Sequence, residues 1–555
     1  MAMDNSVNNV PFNKGNNYIY QYVLIPAIVA IGVIRIFLTY DDISITFDEP
    51  FHVNYSYRLW GGYGYDIHEE NPALTRITLS AIPFLLGYRY IGNNYSKYDA
   101  YAIPSNIDLK IFQFARISNI IYFILMCAGV YCLAKSLFNV NIAVISVFII
   151  SMEPTVLAHS ALATVDASLL ATFILSIYFF TKWMSDKKIF NGLLLCISLA
   201  FTLVSKYSAI PFLGISILLI IICALYYDKK NRDGITRTIL YFIGIILCTM
   251  FIVWSFYKFD IGPLISENAR QILIDKYNVG DRNILIQAGI EYANKNIYPL
   301  NHFIAGALRI IMHNNCPQQG YLLGKVYPLG DWMYFPIALC VKTLLINLIF
   351  AIVGVFLIVR KYRKSVKWQV FVPIIAASSI MFIAIISNLN IGVRHILPIY
   401  TFMSILSAYS LFYLWNLKCK YKLNKYVIII LLSYTFYSSL QSHPDYISYF
   451  NEFAGSHPEN ILVDSNLDWG QDYDKLKREI QTQGIDELWV SIFVPYSRIQ
   501  NDKLGLKILP PNVKVTGWVA VSYSSIKLTK DYSWLESYTP IKKIGRTILL
   551  YRINK

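Results

Sequence analysis

Stretches of about 20 mainly apolar residues, the length at which a helix crosses the hydrocarbon core of a bilayer, recur along this chain. They lie near 18–40, 112–134, 139–158, 162–181, 189–205, 208–227, 238–257, 335–359, 369–388, 395–415 and 425–441. They predict an α-helical polytopic membrane protein with about eleven transmembrane helices. Only 15% of the 555 residues are charged, against roughly a quarter in an average soluble domain. A weaker run, 73–90, carries Arg76 and follows Asn71-Pro72; it is expected to lie in the interface as a helix. The Asn-rich segment 1–17 reads as a polar tail. The apolar run after it is too long for a signal-peptide core and lacks a small-residue cleavage site, so it is expected to be a retained first span.

The formal charge of +15 would suggest a nucleic-acid partner in a soluble protein, but its distribution argues otherwise. Basic residues fill alternate connections: Lys135; Lys182, Lys187 and Lys188; Lys229, Lys230, Arg232 and Arg237; Arg360 to Lys367; and Lys418 to Lys425. By the positive-inside rule these loops and the N-terminus face the cytoplasm, and no nucleic acid is expected. The opposite side then receives loop 41–72, the turn 153–166, the long loop 258–334, the turn 388–395 and everything after 441. The expected organisation is a tail 1–17, an N-terminal membrane module 18–257, the loop 258–334, C-terminal membrane helices 335–441, and a small α/β domain 442–555 outside the membrane. In that domain 461–464, 487–494, 517–522 and 548–553 read as strands and 472–482 as a helix. Richness in Lys, Asn and Ile suggests a bacterial inner membrane with a periplasmic outer face; an endoplasmic-reticulum protein would share the layout with a lumenal site. Six of eight cysteines lie in apolar runs, Cys419 in a basic loop and Cys316 in a polar segment, with no disulfide framework or metal-ligand spacing.

The outer segments hold the residues able to do chemistry. Thr46-Phe-Asp48-Glu49-Pro50-Phe-His52 reads as a helix start with Asp48 at the N-cap and Pro50 in the first turn, running to about Trp60 and stopping at Gly61-Gly62. Asp48 and His52 share a face. Asp48 is either a helix cap or a carboxylate held at the interface as general base or cation ligand. Glu153, His159 and Asp166 lie where the third run ends and the fourth begins, and ionisable groups at span ends suggest function; Asp166 could equally cap the fourth span. Arg58, Arg76, Lys206, Arg394 and His395 are outer-side cations. Each is either a snorkelling anchor or part of a pocket for a phosphate at headgroup depth. Lys342, the deepest charge, is either a phosphate ligand or the partner of a buried acid.

At this point the chain resembles a known family, the GT-C class of integral-membrane glycosyltransferases, in the phospholipid-carrier-dependent branch related to protein O-mannosyltransferases and aminoarabinose transferases. Asp48-Glu49 with His52 is similar to the family's first-loop acidic pair, and 158–166 to its second acidic segment. Tyr321 to Pro336 with Lys342-Thr343, Asn390-Ile-Gly-Val-Arg-His-Ile-Leu-Pro398 and Asp464-Ser-Asn-Leu-Asp-Trp-Gly-Gln-Asp472 resemble further blocks. Asn71-Pro-Ala-Leu-Thr75 stands where a His-Pro-Pro motif is frequent, and no role is carried onto Asn71.

The resemblance implies a polyprenyl-phosphate-linked sugar donor, an acceptor protein, lipid or glycan on the outer face, and inversion at the anomeric carbon. Asp48 would be the base, Glu49 its support, and Asp166 an orienting group. Arg394, His395, Lys206 and Lys342 would hold the donor phosphate, with Arg58, His52 and His159 as further substrate-binding candidates. If the reaction uses a divalent cation, Mg or Mn, Asp48 and Asp166 are the positions to hold it. The 464–472 block is either a structural turn or a border of the cleft. The rival reading is a lipid or solute transporter, which would place charges near the bilayer midplane in two related halves; here they gather at outer span ends, without an internal repeat.

Overall fold

The computed structural model describes residues 20–61, 71–89, 101–105, 107–228, 234–265, 284–315, 318–418, 420–502 and 504–554. The tail 1–17, Cys316, Cys419, Lys229, Lys230 and Arg232 lie outside the described residues. Each predicted apolar run folds as helix: α1 (Ile25–Phe37), then α2 (Glu49–Trp60) and α3 (Ala73–Leu79) in the first outer loop, α4 (Lys110–Leu137), α5 (Val140–Met152), α6 (Pro154–Ser160), α7 (Asp166–Asp186), α8 (Ile189–Leu203), α9 (Ala209–Tyr227) and α10 (Ile235–Phe256). The second half holds α11 (Asn301–Asn314), α12 (Tyr334–Lys342), α13 (Leu345–Tyr362), α14 (Val372–Ile385), α15 (Ile399–Trp415), α16 (Leu423–Gln441) and α17 (Tyr473–Gln483). Among the described residues, six helices are long and apolar enough to cross a membrane, seven if the bent pair α5–α6 counts as one. Helices α1, α8 and α15 are apolar but shorter. The expected eleven spans thus appear as helical runs, while fewer reach full spanning length.

Two expected spans are broken, each for a local reason. At Glu153-Pro154 the missing proline N–H and its clash with the preceding residue force Glu153 into an extended conformation, bending α5 against α6 by 67°. The run 335–359 divides at Thr343-Leu344 into α12 and α13. Broken backbone inside a membrane protein must find polar partners, and here most are side chains, with the Asn451 N–H donating to the Val341 carbonyl (2.9 Å). The Glu153 carboxylate accepts from the Leu344 N–H (2.9 Å) and the Asn347 Nδ2 (3.0 Å). Asn451 Nδ2 donates to the Cys340 and Thr343 carbonyls, and Thr155 Oγ1 donates to the Lys342 carbonyl (2.6 Å). The interfacial run 73–90 forms two helices of seven and five residues, too short to span.

Helix α7 sits in the bundle centre between α4 and α8, and α13 packs along α15. A buried arginine in the first span, Arg35, donates to the Tyr446 hydroxyl (3.0 Å) and to the Ser439 carbonyl (2.7 Å), tying α1 to α16 and the chain beyond it. The C-terminal domain contains α17 and a five-stranded sheet of β1 (Leu488–Ser491), β2 (Leu506–Ile508), β3 (Gly517–Ser522), β4 (Lys542–Ile544) and β5 (Ile548–Ile553), in the order β2-β1-β3-β5-β4. Strands β1, β2 and β3 run parallel; β5 pairs antiparallel with β3 and β4. The strand expected at 461–464 does not form. Asp464 has φ of 58° and opens a single 3-10 turn, because this segment docks onto the membrane module instead of joining the sheet. The missed β2 and β4 are three-residue edge strands, too short to show alternation.

The loop that follows α1 is held between the bundle and this domain. Backbone N–H groups of Ser44 and Phe47 donate to the carbonyls of Gln471 and Trp469 (both 3.0 Å), the Asp474 N–H donates to Ser44 Oγ (2.6 Å), and the Phe47 ring stacks on Phe493 at 4.9 Å.

Candidate active site

Helix α2 begins where the sequence predicts and ends at Gly61, but Asp48 does not cap it: its side chain makes no capping hydrogen bond. It points across the loop and accepts from Arg394 Nη1 at 2.8 Å. The Arg394 guanidinium lies 4.3 Å from the centroid of the Trp469 ring, and the edge of the His159 ring meets the same indole at 5.8 Å. His159 Nδ1 stands 3.9 Å from Asp166 Oδ2, while Asp166 Oδ1 accepts from Lys206 Nζ at 2.6 Å. A chain of contacts therefore links Asp48, Arg394, Trp469, His159, Asp166 and Lys206, drawn from five separate segments. His52 lies within electrostatic reach of Asp48, Asp166, Arg394 and Arg76. His395 faces Lys206, Arg394, Asp166 and His313, and among the described residues its buried Nε2 has no hydrogen-bond partner.

Two short blocks interlock to hold Arg394. Gly392 adopts φ of 150°, and a Cβ there would fall 2.1 Å from Ser465 Oγ, so only glycine fits this approach. Ser465 Oγ donates to the Ile391 carbonyl, and Asn466 Oδ1 accepts from the Val393 N–H (2.9 Å). Asn466 also donates to the Tyr334 hydroxyl (2.8 Å). The 464–472 block therefore borders the cluster, supplying Trp469 to the cation.

Glu49 has a different task from its neighbour. Fully buried, it receives Arg116 through Nε and Nη2 (both 2.7 Å), the Thr46 N–H (2.8 Å), the Thr46 hydroxyl (3.1 Å) and the Ala163 N–H (2.9 Å). Burial alone would raise its pKa, but Arg116 and the N–H donors outweigh burial and hold it below the ordinary carboxylate value. Arg116 also donates to the Ile43 and Ser44 carbonyls (2.9 Å each). Glu49 thus braces the loop carrying Asp48 against α4 and the turn before Asp166.

The predicted cations divide. Arg394 and Lys206 stand in the cluster. Lys342 does not reach it with its ammonium: Nζ donates to the Ile447 carbonyl (2.7 Å), to the Asn466 carbonyl (2.6 Å) and to the Tyr449 carbonyl, so its three donors are committed to folding the chain after α16. Arg58 and Arg76 both lie against the Tyr55 ring, at 5.7 and 4.9 Å. Burial pushes His52 down to about 4 against the pull of Asp48 and Asp166; it is neutral at pH 7 and offers a hydrogen bond in place of a charge. Glu153 is spent on the α12–α13 break.

Among the described residues no three His, Cys, Asp or Glu side chains group as metal ligands. Asp48 and Asp166 each face a cation where a metal ligand would face the ion. This donor set does not fit a resident divalent cation, and no step is routed through one.

Arg116 and Trp469 were not singled out as site residues from sequence. An arginine inside an otherwise apolar helix was the available signal for the first. The distinctive 464–472 string was the signal for the second.

Comparison with known proteins adds a partial sequence match. Residues 108–255 match the model of a family described as dolichyl-phosphate-mannose-protein mannosyltransferase. That stretch runs from the start of α4 to the end of α10 and contains Arg116, His159, Asp166 and Lys206, but neither Asp48 nor Arg394. No curated protein matches by sequence. Among solved structures, ArnT from Cupriavidus metallidurans bound to undecaprenyl phosphate is 11% identical, with TM-score 0.48, covering 95% of this chain and 97% of that one. The oligosaccharyltransferase of Archaeoglobus fulgidus in its apo form is 11% identical, with TM-score 0.49, covering 94% and 73%. AglB from Archaeoglobus fulgidus, in complex with an inhibitory peptide and a dolichol-phosphate, is 12% identical, with TM-score 0.47, covering 91% and 70%. The sequence match is thus confined to the mannosyltransferase model over 108–255.

Proposed function

We propose that this protein is a membrane glycosyltransferase that moves a sugar from a polyprenyl-phosphate donor to an acceptor on the outer, extracytoplasmic face, with inversion and with Asp48 as general base. The observation that carries the reading is the pairing of two acids with two cations, Asp48 with Arg394 and Asp166 with Lys206, in one cluster at the span ends. The partial match to the mannosyltransferase model supports the same reading through the half of the cluster that it covers.

A donor phosphate arriving at the cluster offers Arg394 and Lys206 a second anion. As Arg394 turns toward it, Asp48 is released from its ion pair and its carboxylate is free to take a proton. The acceptor O–H or N–H attacks the anomeric carbon from the face opposite the phosphate, and its proton passes to Asp48. The bond between the anomeric carbon and the phosphate oxygen breaks, its electron pair staying on the phosphate. The charge that grows there meets Arg394 and Lys206, the electrostatic stabilisation that contributes most in such sites. Trp469 supports the guanidinium through a cation–π contact of about 0.5–2 kcal/mol. Glu49 and Arg116 position the loop.

The test is to reconstitute the protein with polyprenyl phosphates carrying labelled sugars and to separate bond cleavage from movement of intact lipid. Label on an acceptor, or free sugar with released polyprenyl phosphate, supports the reading. Lipid crossing the bilayer with its sugar intact and no cleavage would favour the transporter instead.

A further inference from the structure

At the end of the bundle opposite the Asp48–Asp166 cluster, the ends of α4, α13 and α15 and the start of α5 surround a recess of about 60 Å³. This is several times the ~10–15 Å³ that admits one water. The two ends are joined by α7, whose 21 residues separate them by about 30 Å; Gln369 at the recess end donates to Ser185 in the last turn of that helix (3.2 Å). The recess is lined by Lys361, Lys367, Tyr362, Tyr409, Tyr413 and Asn139, among others. Tyr409 is buried, with its ring against Phe138 at 4.8 Å, so its phenol is fixed. Lys361 Nζ stands 5.1 Å from the Tyr362 ring centroid. Among the described residues no acidic side chain lines the recess and neither lysine is ion-paired. Two cations and three phenols around one polar hollow, without a protein counter-charge, call for an anion.

We propose that this recess binds the phosphate of an anionic lipid headgroup, in the leaflet opposite the one that borders the acidic cluster. The location at helix ends puts the lysines at headgroup depth, where basic pockets between helices take such lipids. Leu137 and Phe412 give the recess apolar flanks. A basic loop obeying the positive-inside rule explains lysines at this end; it does not explain why the buried Tyr409 and the half-buried Tyr362 and Tyr413 line the same hollow.

The full chain in phosphatidylcholine nanodiscs, with and without phosphatidylglycerol, tests this through its thermal midpoint and its retained lipid by native mass spectrometry. Phosphatidylglycerol is expected to raise the wild-type midpoint and to remain bound. Lys361→Gln with Lys367→Gln should lose at least half of that rise and most of the retained lipid, whereas Lys418→Gln with Lys422→Gln, removing equal charge outside the recess, should keep both. If the first pair does not fold, Lys367→Gln alone carries the same comparison. Equal losses in the two pairs would overturn the site in favour of diffuse surface charge. A full rise from inorganic phosphate in phosphatidylcholine discs would overturn the lipid assignment in favour of free phosphate.

Discussion

Replacing Glu49 by Gln preserves its shape but removes the charge that Arg116 needs. Arg116 would then be a buried guanidinium without a counter-ion, and removing one partner of a buried pair costs about 3–5 kcal/mol. The Thr46 and Ala163 N–H groups could still reach the amide oxygen, so most of the loss should come from the Arg116 contacts at 2.7 Å. The cost falls on the loop at 43–49 and the turn at 163, which together set the position of Asp48. Thermal unfolding in lipid should therefore show Glu49→Gln far less stable than wild type. Arg116→Met should be comparably damaged, and the double variant should recover about 0.5–3 kcal/mol of coupling. Asp48→Asn, whose side chain is partly exposed and pairs only with Arg394 among the described residues, should keep a nearly wild-type midpoint. A Glu49→Gln protein with unchanged midpoint and lost turnover would refute the brace and make Glu49 a chemical group.

Lys342→Met should destabilise the chain after α16 by leaving three carbonyls without their donor, about 1–3 kcal/mol for each buried group left unsatisfied, while KM for donor in the surviving folded fraction stays near wild type. Gly392→Ala should collapse turnover with a much smaller loss of stability, because the new Cβ at 2.1 Å from Ser465 Oγ pushes the Arg394 block off the Trp469 block; a fully active variant would contradict the interlock. Burial raises Asp464 to about 7, against Arg394 and the Ser465 N–H and with help from Asp48 and Asp468. The folded form thus holds this proton longer than the unfolded chain, whose carboxyl loses it near 4. The stabilisation is complete below about pH 4 and is lost as pH rises through 7, at ~1.4 kcal/mol per unit. Asp464→Asn, well suited to the positive φ, should flatten the decline in thermal midpoint between pH 5 and 7.5.

Much of this architecture was legible because lipid imposes a simple length rule. Apolar runs mark helices, and Pro50 and Gly61 mark the bounds of α2. The break at Glu153 falls at the start of the expected outer turn 153–166, while the one at Thr343 was hidden inside an expected span; what permits both is polar partners from distant positions, Asn347 and Asn451. The same limit applies to the site. Asp48, Asp166, Lys206 and Arg394 are visible as charges at span ends, but which acid meets which cation depends on the fold. That Glu49 is a brace and its neighbour is not follows from Arg116, 67 residues away. Nor could hydropathy show that Trp469 leaves the C-terminal domain to lie under Arg394.

The central claim is that Asp48 takes the acceptor proton while Arg394 holds the departing phosphate. The direct measurement is the single-turnover rate of sugar transfer by Asp48→Asn, in protein shown to retain the wild-type midpoint and donor affinity. The account predicts a loss of at least 10²-fold, the lower range for a general base, at unchanged donor binding. A folded Asp48→Asn that binds donor and transfers sugar at the wild-type rate would contradict it.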